Sequence, residues 1–209
     1  MSTYLGESEG MENAAEVSDE VAVRLAGVGE WRAWLEAHGE VERAVWLVVG
    51  RGGGGVVDYL AAVEQALCFG WVDSKTVRRD AVTTYQCFTP RSVRSTWSKV
   101  NRERVARLAA EGLMAPAGMA VVERAKASGV WDVLAEAQEL IVPGDLRREL
   151  DGNAEADKHF RAFPPSSRRL ILEWVALAKR PETRARRIRE TVELAEIGRR
   201  ANHRTPTTH

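Results

Sequence analysis

Hydrophobic residues recur along this chain with two different periods. Between Trp31 and Leu35 the apolar positions fall three and four apart, which predicts a short helix that Gly39 can end. Val45-Trp46-Leu47-Val48-Val49 is a continuous β-rich run, the pattern of a strand covered on both faces. Asp58 then stands where a helix N-cap belongs, and Tyr59, Ala62, Val63, Ala66 and Leu67 form a helical stripe that Gly70 stops. Trp71–Val77 and Thr83–Phe88 read as two antiparallel strands around a turn at Arg78, Arg79 and Asp80. Alternation puts Trp71 and Asp73 on one face of the first strand, and we place Tyr85 on that face too.

Beyond Pro90 the period is helical throughout. Ser98 caps a helix with Val105, Leu108 and Ala109 inward, and Gly112 ends it. Pro116 opens another, with Met119, Val122 and Ala125 inward and Gly129 as its stop. After a boundary at Ile141–Asp145 come a short helix over Leu146–Leu150, a break and cap at Pro164–Ser167, a helix lined by Leu170, Trp174 and Leu177, and a last helix opened by Pro181 with Ile188, Val192 and Ala195 inward. The predicted class is α+β: a small antiparallel sheet backed by helices, followed by a helical C-terminal domain. The predicted division is an acidic disordered tail over 1–20, an α+β domain over 21–140, a helical domain over 141–200 and a disordered tail over 201–209.

Composition narrows the function. Thirty basic and thirty acidic side chains cancel, so no general field draws nucleic acid to the chain. The first twenty residues hold six acids and no base, whereas Lys179–Arg189 holds six bases and one acid. Acids at Glu190, Glu193 and Glu196 offset that basic stretch, which reads as a solvated face. Cys68 and Cys87 make no disulfide framework, and the acidic start is unlike a signal peptide. With no apolar run of bilayer length, the expectation is a cytoplasmic chain without a membrane partner. Gly52–Gly55 lacks the Lys-Ser/Thr of a phosphate loop. The four histidines sit in no metal-ligand spacing, and no nucleophile elbow occurs. No metal and no cofactor are implied.

The residues that carry candidate chemistry gather around Ala66-Leu67-Cys68-Phe69-Gly70-Trp71-Val72-Asp73 and, downstream, around Phe88-Thr89-Pro90-Arg91 and Trp97-Ser98-Lys99-Val100-Asn101. Asp73 beside Trp71 could act as acid or base, with Tyr85 as a partner. Trp71, Phe88 and Trp97 could wall a pocket, with Arg91, Lys99 and Asn101 orienting a ligand. Arg94 and Arg102 extend that basic cluster. Cys68 sits at a helix C-terminus, where the dipole works against a thiolate.

These same phrases, together with Pro116-Ala117-Gly118 and Ala178-Lys179-Arg180-Pro181-Glu182-Thr183-Arg184, resemble the YdeI/OmpD-associated family of bacteriocin-protection proteins over about residues 25–200. The resemblance implies an N-terminal α+β domain and a helical C-terminal domain. The family name suggests protection against toxic peptides or small molecules. The expected function is therefore a binding protein that sequesters a toxic or specialised small molecule or short peptide. The alternative is a cofactor-free enzyme of specialised metabolism using Asp73 or Tyr85 in the same pocket.

Overall fold

The computed structural model describes residues 17–50 and 55–202. Most of the acidic tail, Gly52–Gly54 of the glycine loop and the end of the C-terminal tail lie outside the described residues. In chain order the elements are α1 (Val28–His38), β1 (Val45–Gly50), α2 (Tyr59–Cys68), β2 (Trp71–Arg78), β3 (Thr83–Pro90), α3 (Lys99–Ala110), α4 (Pro116–Ala127), α5 (Ala135–Gln138), α6 (Gly144–Asp151), α7 (Ala154–Ala162), α8 (Pro165–Ala176) and α9 (Pro181–Glu196). The fold is α+β, with one three-stranded antiparallel sheet in the order β1-β3-β2.

Contacts divide the chain into two compact units. The first runs through Val93 and takes up Arg104–Arg124; the second holds Arg94–Glu103 and everything from Ala125 onward. Residues 125–140, assigned from sequence to the α+β domain, are thus in the second unit, as is the segment carrying Trp97, Lys99 and Asn101.

In the first unit the strand register sorts the sheet into two faces. Asp73 pairs with Phe88 and Trp71 with Pro90, while Val45 and Leu47 oppose Phe88 and Gln86. Paired residues share a face, so Trp71, Asp73 and Phe88 lie together, against α1 and α2. Trp31 of α1 holds that layer: its ring lies 5.4 Å from Phe88 and its indole N–H donates to Ala62 O at 3.0 Å. Tyr85 pairs with Val48 and Val77 and sits on the opposite face with Cys87. The expectation that Tyr85 shares a face with Trp71 and Asp73 is therefore overturned. Parity along β3 separates residues 85 and 88, and a bulge between Asp73 and Thr76 resets the parity of β2.

The second unit closes over Leu146, Leu150, Phe160, Ile171, Val175 and Ile188. Here the inward stripe of α8 is Ile171, Leu172 and Val175, whereas Leu170 and Leu177 are exposed. The expected stripe was one residue out of phase, because the apolar run of α8 is wide enough to support either choice. Pro165 takes the first position of α8 with no side-chain cap, so Ser166 and Ser167 lie inside the helix. In α3, Val105 and Leu108 are buried as expected but Ala109 is exposed.

Candidate functional site

The joint between α2 and β2 is fixed from several sides. Asp58 caps α2 by accepting from the N–H groups of Leu60 (2.9 Å) and Ala61 (3.3 Å). Gly70 ends the turn with φ +76°, a conformation a side chain resists, and a Cβ there would meet Val121 Cγ2 at 2.6 Å. The Gly70 carbonyl accepts from Arg91 N at 2.9 Å and the Cys68 carbonyl from Ala115 N at 3.0 Å. Gly118 brings the first turns of α4 so near that a Cβ would lie 2.0 Å from the Cys68 carbonyl oxygen.

This clamping leaves Phe69 at the edge of a cavity of about 380 Å³ within the first unit. Leu35, Phe69, Met114 and Pro116 supply apolar walls, and Arg32, Glu36 and Glu40 supply charge. The Arg32 guanidinium lies 5.1 Å from the centre of the Phe69 ring. It is held there by Glu36 at 3.1 Å, Gln65 Oε1 at 3.0 Å and the Leu113 carbonyl at 3.2 Å. Gly39 also lines the cavity, and its carbonyl accepts from the Trp71 indole N–H at 3.1 Å. Trp71 thus supports the wall from behind.

The residues singled out from sequence fall into three places. Trp71 and Phe88 are 1% and 0% exposed and belong to the layer between sheet and helices. A ring that buried offers a ligand no surface. Asp73, half-buried on the same face, accepts a hydrogen bond from Tyr59 Oη at 2.8 Å. Arg91 is buried as well; burial lowers its pKa to about 10, and the Asp73 carboxylate pulls the other way. Asp73 and Arg91 therefore interact within the first unit.

Tyr85 is the second place, on the far face. Its hydroxyl donates to Asp19 at 2.8 Å, and that hydrogen bond raises its pKa. Asp19 also takes a two-pronged contact from Arg79, 2.6 Å on each oxygen, which together with Tyr85 holds its carboxyl well below the usual range. The third place is the second unit. Trp97 is buried against Trp131, with ring centres 4.8 Å apart. Lys99 pairs with Glu139 at 2.6 Å. Asn101 lies in the first turn of α3, where its N–H donates to Ser98 Oγ at 3.3 Å. Arg102 donates to the Trp131 carbonyl at 3.1 Å.

Chemically, Asp73 and Tyr85 are each held in a hydrogen bond, to Tyr59 and to Asp19. Burial pushes the Cys68 thiol up, opposite to what a nucleophile needs. Cys68 and Cys87 are both free and buried. Among the described residues, no three His, Cys, Asp or Glu side chains converge in a way that could hold a metal ion, and no helix is long and apolar enough to cross a membrane. Sequence reasoning missed Arg32, Glu36 and Tyr59. Arg32 and Glu36 at a spacing of four were the available signal of a helix-surface pair.

The two-unit α+β architecture and the cavity define a class: a small-sheet unit with a partly apolar pocket, followed by an α-helical unit. Residues 139–198 match the family described as Bacteriocin-protection, YdeI or OmpD-Associated. Residues 23–121 match a separate family, a domain of unknown function (DUF8412). The resemblance read over about 25–200 is thus shown for the C-terminal part, and the part with the Phe69 cavity answers to another family. No curated protein and no solved structure matches the chain.

Proposed function

We propose that the protein binds and sequesters a small molecule or short peptide in the cavity beside Phe69, without converting it, and thereby protects against a toxic or specialised compound. The observation that carries this reading is the cavity itself. It has the volume of ordinary ligand sites, which run from about 300 to 1,000 Å³, and it combines apolar walls with Arg32 fixed over Phe69. A preset cation above an aromatic ring supports binding because its ordering cost is met before the ligand arrives. The bacteriocin-protection description of the matched C-terminal family points in the same direction.

The enzymatic alternative draws less support. Asp73 is engaged by Tyr59, Tyr85 lies on the other sheet face, and the raised Cys68 thiol is a poor nucleophile. Binding in a cytoplasmic setting needs none of these groups to turn over. The test is to melt the full chain against a library of metabolites, antibiotics and short peptides, then recover each hit by chromatography and mass spectrometry. A compound that raises the midpoint and returns unchanged supports sequestration. A compound that returns as a new species would make the protein an enzyme.

A further inference from the structure

A second cavity, entirely within the helical unit, has its own chemistry. It encloses about 430 Å³ between the α5 region and the ends of α8 and α9. Ile141, Leu172 and Ala176 give it apolar walls, and Ile141 is 52% exposed there. That exposed isoleucine follows Leu140, whose φ is +60°. A non-glycine residue in the left-handed region is strained, and the strain is held by Leu140 N donating to Ala137 O at 3.1 Å and Ile141 N to Glu136 O at 2.9 Å. These two bonds close the end of α5, and the turn leaves Ile141 exposed at the cavity.

The charges around it are unequal. Arg184 is the lining cation, but Asp145 grips it with two contacts of 2.6 and 2.9 Å, and its third branch donates to the Val175 carbonyl at 3.3 Å. Its charge is offset by Asp145, and three of its five N–H groups have partners. The lining acids are more open. Glu136 is exposed, and Asp132 keeps 75% of its side chain accessible while meeting Arg102 at 3.5 Å. Ala176 belongs to the last turn of α8, the negative end of a helix dipole.

We infer that this cavity is a binding site for an apolar amine, a ligand whose alkyl or aryl body lies on Ile141, Leu172 and Ala176 while its ammonium group faces Asp132, Glu136 and the α8 C-terminus. The site is separate from the Phe69 cavity, so either can fail alone. An anionic ligand is repelled by both acids and meets an Arg184 whose charge is offset by Asp145.

The test uses the full chain and fluorine NMR of 4-fluorophenethylamine, with 4-fluorophenylacetate as the anionic counterpart. The amine is expected to bind and the carboxylate not. Asp132→Asn and Glu136→Gln, both at exposed positions, should each weaken amine binding about threefold, and the pair about tenfold. Ala176→Phe, which fills the cavity from its wall, should remove binding while circular dichroism and the melting profile stay those of a folded chain. The inference is overturned if the amine does not bind at millimolar concentration, if the carboxylate binds equally well, if the double variant binds as tightly as the parent, or if folded Ala176→Phe retains the amine.

Discussion

Gly118→Ala tests how tightly the α2–β2 joint is closed. The new Cβ would stand 2.0 Å from the Cys68 carbonyl oxygen. A carbon–oxygen contact settles at about 3.3 Å, so the two segments must part by about 1.3 Å. Moving α4 by that amount takes Ala115 N, now 3.0 Å from the same oxygen, beyond hydrogen-bonding range. Loss of that bond costs about 1 kcal/mol, and forcing a methyl into a packed contact costs about 1–3 kcal/mol. Alanine's better helix propensity returns about 1 kcal/mol. The net expectation is a loss of about 1–3 kcal/mol, or roughly 4–8 °C in midpoint for a 2 kcal/mol effect in a chain of this size. Urea unfolding followed by tryptophan fluorescence measures it. Gly29→Ala is the matched control: Gly29 lies in α1, and a Cβ there meets nothing within 4 Å, so that variant should gain stability. If Gly118→Ala were as stable as the parent, the close approach of α4 to the joint would be wrong.

Three further outcomes follow from the same contacts. Tyr59→Phe removes the donor to Asp73 and should cost about 1 kcal/mol, whereas Asp73→Ala, which also strips a carboxylate from the surroundings of buried Arg91, should cost about 1–3 kcal/mol in urea titrations; equal losses would contradict the Asp73–Arg91 interaction. The Thr83 hydroxyl and the N–H groups of Val82 and Thr83 hold the Asp80 carboxyl at about 2, below its ordinary 3.8. Because the folded value is depressed, its contribution is complete above about pH 4 and is lost as pH falls through 2. Stability measured between those values should fall with acid in the parent and more weakly in Asp80→Asn; parallel curves would refute the role given to Asp80. Both thiols should react with a disulfide reagent at the global unfolding rate, and rapid labelling of the native chain would contradict their burial.

Much of the first unit could be read from residues whose chemistry is local. Asp58 announces a cap and Gly70 a left-handed stop because each effect spans only a few residues. Tyr85 could not be placed that way. Which sheet face it occupies depends on its register with β1 and on a bulge in β2, and neither leaves a mark in the nearby sequence. Leu170 and Ile171 show a similar limit, since adjacent apolar residues let a helix stripe be drawn in two phases. The tryptophans misled most. In sequence, Trp71, Phe88 and Trp97 look like pocket walls, yet large rings are also what a small core uses to fill its volume. Phe69, between Cys68 and Gly70 at the α2–β2 joint, is the ring that reaches the cavity.

Ligand-induced stabilisation of the parent chain and of Ala117→Phe tests the central claim most directly. Ala117 is exposed on the first turn of α4 and lines the Phe69 cavity, so a phenyl ring there occupies the ligand's place. A compound present at a hundred times its dissociation constant stabilises the folded chain by about 2.7 kcal/mol. The account predicts that a library compound raises the melting midpoint of the parent and leaves that of Ala117→Phe unchanged. An equal rise in both proteins, or no rise with any compound, would contradict it.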